Sequence, residues 1–157
     1  MRTTIKNIIK AIGQTVAPLV PDVEHYIGRL EEDFSRPAFL YVPVFFGESK
    51  ANYFTSTKNV EIQMIYFGST DGCGQQDYIE RLDVEAALDT FLSQHTLEVN
   101  DRHLHFTYEV KEADKQMAIY LTFRFLDEAL DQAYIDECNE VLAGSAKVSV
   151  SVKPKLE

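Results

Sequence analysis

Tryptophan is missing from this 157-residue chain, cysteine occurs twice, and basic residues are outnumbered by acidic ones. The two cysteines, Cys73 in a Gly-rich stretch and Cys138 in a helix-like one, are too few for a disulfide scaffold. They also lack the paired spacing of a zinc site, so both read as free thiols. With 15 Lys and Arg against 25 Asp and Glu, the formal charge is −10. That balance excludes the broad positive field that phosphate contacts need, and with it a non-specific nucleic-acid binder. No apolar run approaches the roughly 18 residues of a membrane span. The densest, Ala38 to Phe46, is interrupted by Pro43. Lys6, Asn7, Lys10 and Gln14 break up the first 17 residues, so no signal-peptide core is present and an intracellular protein is expected. Fixed-period repeats and low-complexity tracts are also missing, which leaves a solenoid or linker array without support.

What is present is the composition of one globular domain, 45% hydrophobic and 25% charged, over a length suited to a single core. Residues 1–157 are therefore expected to fold as one domain. Ten Phe and eight Tyr supply more large apolar area than a small core requires, and part of it is available for partners.

Ile5, Ile8, Ile9, Ile12 and Val16 follow the spacing of one helical face, with Thr3 or Thr4 to cap the start and Pro18 and Pro21 to stop it. Val23 to Leu30 fits either a short strand or irregular chain. Ala38 to Phe46 suits a strand that Pro43 places at an edge or near a bulge. Val60, Ile62, Met64 and Tyr66 alternate with Glu61, Gln63 and Ile65, as in a strand with one buried face. The polar stretch Gly47 to Asn59 is longer than a hairpin loop needs and carries Tyr53 and Phe54, so it reads as a contact arm. Gly68 to Gly74 is turn-rich, and Gln75 to Gln94 reads as a helix with two apolar stripes. Val84, Ala87, Leu88 and Phe91 form one stripe; Ile79, Leu82 and Ala86 form the other. The second stripe calls for a cover, from the first helix or from a neighbouring subunit. Leu97 to Val99, Leu104 to Val110 and Ile119 to Phe125 read as a short strand and a long hairpin. Ala129 to Leu142 and Lys147 to Val152 read as a helix and a terminal strand. Hairpins outnumber βα units, so the expected fold is α+β: an antiparallel sheet of about four to five strands, mixed at an edge, with helices on one face.

The sequence offers little catalytic chemistry. His103 and His105 share one side of a strand and could hold a metal if a third ligand converged, but no Cys or carboxylate cluster is tied to them by local spacing. A solvated sheet face is the simpler reading. Gly68, Gly72 and Gly74 precede a helix, yet match neither phosphate-loop pattern, and Ser69 is in no G-x-S-x-G context. The acidic stretches Glu31-Glu32-Asp33, Asp127-Glu128 and Asp136-Glu137 read as solvated surface. Partner binding or assembly outranks catalysis.

The order of segments resembles a known family. An amphipathic N-terminal helix leads to Arg36-Pro37-Ala38-Phe39-Leu40, then to Asn52-Tyr53-Phe54 in a polar stretch and to the strand Val60 to Phe67. An acidic helix follows, and then the hairpin of Leu104 to Val110 with Ala118 to Phe125. This is similar to the tail terminator, or tail completion, proteins of tailed phages and prophages of Gram-positive-type hosts. The resemblance covers residues 1–126 as a core and leaves 127–157 as a C-terminal extension.

The resemblance implies a non-enzymatic virion protein with no cofactor. Such a protein assembles in the host cytoplasm and forms a homo-oligomeric ring of six copies at the tail end. The ring stops tube growth and joins the tail tube protein to the head connector protein, and DNA passes through without specific binding. By position, Lys50, Asn52, Tyr53 and Phe54 of the arm, Asp71 of the loop, and Ile79 and Leu82 of the two-faced helix are the expected subunit or tube contacts. The alternatives are another head-completion, connector or minor tail role, or a small metal protein or enzyme using His103 and His105.

Overall fold

The computed structural model describes residues 2–128. The helix and strand expected beyond Ala129, and Cys138 with them, lie outside the described residues. Helix α1 spans Ile5–Val16. Thr4 Oγ1 accepts the Asn7 amide at 3.1 Å while Asn7 Oδ1 accepts the Thr4 amide at 3.0 Å. This reciprocal cap satisfies two amides that have no partner inside the helix.

Six strands follow in one mixed sheet: β1 Glu24–Ile27, β2 Ala38–Lys50, β3 Thr55–Phe67, β4 Thr96–Val99, β5 Arg102–Ala113 and β6 Gln116–Glu128. Helix α2, Tyr78–Leu92, lies between β3 and β4. The spatial order is β1-β2-β3-β6-β5-β4, parallel between β1 and β2 and antiparallel elsewhere. The α+β class agrees with the sequence reading; the strand number is six rather than four to five, with Leu97 to Val99 found as expected within β4 and the ambiguous stretch Val23 to Leu30 supplying β1 as a four-residue edge strand.

The stretch 47–59 is a correction. It is not an irregular arm: Gly47 pairs with Asn59 and Lys50 with Ser56, so β2 and β3 run on to a short turn at residues 51–54. A register shift between Pro43 and Phe45 marks the bulge that the proline announces. Asn100-Asp101 and Asp114-Lys115 close two-residue hairpins with all four residues at positive φ, between 49° and 66°. This is the turn geometry whose twist matches that of the flanking strands.

The core lies on one face of the sheet. Phe39, Tyr41, Ile62, Met64, Tyr66, Leu104, Phe106, Leu121 and Phe123 point there and pack with Ile8, Ile12 and Val16 of α1 and Val84, Leu88 and Phe91 of α2. At the hairpin end of this face the apolar cover gives way to a buried polar group. Asp127 Oδ2 accepts Lys58 Nζ at 2.7 Å and the Thr3 amide at 2.6 Å, and its Oδ1 accepts Arg102 Nη1 at 3.1 Å. Lys58 also donates to the Thr3 carbonyl at 2.7 Å.

Burial alone would raise the Asp127 pKa. The hydrogen bonds from Lys58, Thr3 and Glu128, with the charge of Lys58, outweigh it and hold the carboxyl below its ordinary value. A carboxyl depressed in the folded state contributes stability above the ordinary carboxylate range, near pH 4, and that contribution is lost as pH falls through the lower folded value. Thermal unfolding midpoints measured from pH 7 down to pH 3 should therefore fall, and fall less steeply in Asp127→Asn. At pH 7 that substitution should cost about 3–5 kcal/mol, because Lys58 stays buried without its counter-charge. Equal slopes in the two proteins would remove Asp127 from this role.

Candidate functional site

The turn between β2 and β3 is held by Asn52, whose Oδ1 accepts the amides of Phe54 at 2.9 Å and Thr55 at 3.0 Å. Ala51 and Asn52 donate to the Thr55 carbonyl at 3.0 and 3.1 Å. An Asn side chain that closes its own turn needs no partner elsewhere, so Asn52 shapes the tip. Above it, Tyr53 and Phe54 pack edge to face, 4.9 Å apart, and Lys50 Nζ lies 5.2 Å from the Tyr53 ring. Tyr53 is 55% exposed and Phe54 76%. Two aromatic rings packed on each other and exposed to water are a ready contact surface, with large apolar area and few rotatable bonds to order on docking.

The second group sits at the start of α2. Asp71 Oδ1 accepts the amides of Cys73 at 2.8 Å and Gln75 at 3.0 Å, so this side chain folds its own loop. Asp77 caps the helix, accepting from the amides of Ile79 and Glu80. Glu80 Oε1 accepts the Tyr66 hydroxyl at 2.7 Å and the Ser69 amide at 2.8 Å, which pins helix and loop to the sheet. Burial and the Glu80 carboxylate both push the Tyr66 hydroxyl pKa upward. Burial would raise Glu80, but the bonds from Ser69 and Tyr66 leave it below its ordinary value. With α2 fixed in this way, Ile79 is 65% exposed and Leu82 42%, with Tyr78 beside them. Helix α1 does not cover this stripe.

The seven expected contact residues therefore form two groups. Lys50, Asn52, Tyr53 and Phe54 lie at the end of the sheet where β3 begins; Asp71, Ile79 and Leu82 lie near the end where β3 stops. Thirteen residues of β3 separate the two ends by about 40 Å at about 3.4 Å per residue. Val44, Phe45 and Phe46, absent from the expected contacts, are also exposed on β2. The signal that could have found them is Pro43, which marks the strand as an edge.

His103 and His105 are exposed on the face away from the helices, and no three His, Cys, Asp or Glu side chains converge into a metal-holding group among the described residues. Cys73 is an exposed free thiol. A cleft of about 190 Å³ between α1 and the β4–β5 turn is lined by Asn7, Lys10, Ala11, Gln14, Glu98, Val99 and Asn100. Among the described residues no helix is long and apolar enough to cross a membrane.

A family model described as phage tail terminator protein matches residues 7–134, a span that runs from the first turn of α1 past the end of β6. No curated protein matches the chain.

The two exposed groups should be nearly silent in stability. Phe54→Ala and Ile79→Ala should each change the unfolding free energy by less than about 0.5 kcal/mol in urea titrations. Phe123→Ala, which empties a buried site, should cost about 3–5 kcal/mol. A cost at Phe54 equal to that at Phe123 would mean that the tip is packed in solution.

Proposed function

Because the chain belongs to the phage tail terminator family, and so to the structural proteins of phage tail assembly, we propose that it caps the tail tube as a closed homo-oligomeric ring. The ring, of six copies, stops tube polymerisation and offers its outer side to the head connector. The observation that carries this reading is the pair of exposed apolar groups at opposite ends of one rigid sheet, Tyr53 with Phe54 and Ile79 with Leu82. Two different patches on each subunit make a head-to-tail contact, and head-to-tail contacts close into rings when the rotation allows. A ring that must also touch a tube and a connector needs more than one contact surface, and rigid exposed aromatics are the residue types that anchor such contacts.

Net charge supports the same role. With a formal charge of −10 on each copy, acidic residues placed on the ring's inner wall would repel phosphates and let DNA pass without adhering. Asn52 and Asp71 hydrogen-bond within their own turns, which supports a reading in which they shape the two contact regions and their aromatic and aliphatic neighbours make the contacts.

The test is localisation and mass. Gold labelling of a tagged chain should mark the head-proximal end of purified tails. Tyr53→Ala with Phe54→Ala should give a folded protein that no longer copurifies with tails, and the tails made with it should be longer than normal. Labelling of the head vertex on tailless particles would instead indicate a connector role.

A further inference from the structure

The outer edge of β2 is covered for only part of its length. Strand β1 pairs with Ala38 to Tyr41 and ends there; from Val42 to Lys50 no other strand of the described residues lies beside β2 on that side. Past the bulge, Phe45 to Lys50 pair regularly with Glu61 to Ser56 on the inner side, so six residues present a regular open ladder outward. Val44, Phe45 and Phe46 are 46 to 56% exposed along it, and no charged residue occurs between Val42 and Gly47. The apolar part of this edge, Val44 to Phe46, carries no charge to blunt it, Glu48 and Lys50 lie further along, and an uncovered edge of this kind takes up another strand. The opposite edge differs: beyond β4, the open part of β5 carries Glu109, Lys111 and Glu112, with Lys111 and Glu109 paired at 3.1 Å.

We propose that Phe45–Lys50 of each copy receives Lys147–Val152 of the neighbouring copy as an added strand. This deepens the ring reading and rests on it. Outside the described residues the sequence holds one alternating stretch, Val148, Val150 and Val152 with Ser149 and Ser151 between them, and its six residues match the six of the open ladder. Strand addition draws affinity from main-chain hydrogen bonds and specificity from alternate side chains, here valines that can lie beside Phe45 and Phe46. The charges are complementary. Residues 2–128 carry twelve Lys or Arg against twenty Asp or Glu, while residues 145–156 carry three Lys and no acid. Reach is sufficient. Strand β6 ends at Glu128, opposite Thr55 and hence at the Lys50 end of the sheet, and eighteen residues separate it from Lys147. Fully extended, they span about 60 Å. The family match stops at residue 134, so this segment lies outside the matched region.

A photo-crosslink tests this in the full chain. With p-benzoylphenylalanine in place of Val150, irradiation of the assembled protein should give a two-chain product whose linked peptide, identified by mass spectrometry, contains Phe45 to Lys50. A one-chain product at the same peptide, which would place the strand on its own sheet, overturns the proposal, as does linkage elsewhere or none. Light scattering separates this from the ring reading. Removing residues 145–157 should raise the concentration needed for assembly by about tenfold or more. An unchanged assembly curve would remove the strand exchange and leave the ring. A full chain that stays at the mass of one copy at every concentration would remove both. Val150→Pro, which deletes one amide donor and leaves the described residues untouched, should act like the truncation.

Discussion

One buried carboxylate holds the hairpin end of this fold together. Asp127 receives hydrogen bonds from the Thr3 amide, from Lys58 on β3 and from Arg102 on β5, so a single side chain ties the entry to α1 to three neighbouring strands. An ion pair at this depth is costly unless its remaining lone pairs and protons are satisfied. Here they are: Lys58 also donates to the Thr3 carbonyl, and Asp127 also accepts the amide of Glu128. The same end is crossed by Arg2, which bonds the Glu128 carbonyl at 2.7 Å and pairs with Glu48 on β2 at 2.9 Å. Without this polar staple, the β2–β3 ladder beyond Val60 would have little apolar area to keep it against the rest of the molecule.

That arrangement explains why part of the fold was legible in the sequence and part was not. Where buried positions are apolar, as at Val60 to Tyr66, Leu104 to Val110 and Ile119 to Phe125, the period of two is plain. Between 55 and 59 the buried positions are Ser56 and Lys58, so the same alternation continues in residues that read as loop. The pairing that makes their burial tolerable joins residues 69 positions apart, and no local pattern records it. The α1 face, its Thr4 cap and its stop before Pro18 depend only on near neighbours and were legible.

The candidate contacts divide in the same way. Tyr53 and Phe54 stand out as aromatics in polar surroundings, and the second stripe of α2 is visible at helical spacing. Pro43 marks Val44, Phe45 and Phe46 as edge residues, but how much of that edge stays open depends on β1 ending at Ile27 beside Tyr41, a fact of tertiary structure. Belonging to the tail terminator family gives these surfaces a setting: a protein made for assembly keeps apolar area that a monomer would bury.

The direction of the long strands has a mechanical consequence. Tyr53 and Phe54 are at the end of two 13-residue strands whose hydrogen bonds run perpendicular to the chain. A pull on the tip along the strand axis loads the β3–β6 ladder in shear, with many bonds sharing the force together. A sideways pull at the β1 edge would open pairs one after another. The tip is thus joined to the core in its mechanically stronger direction.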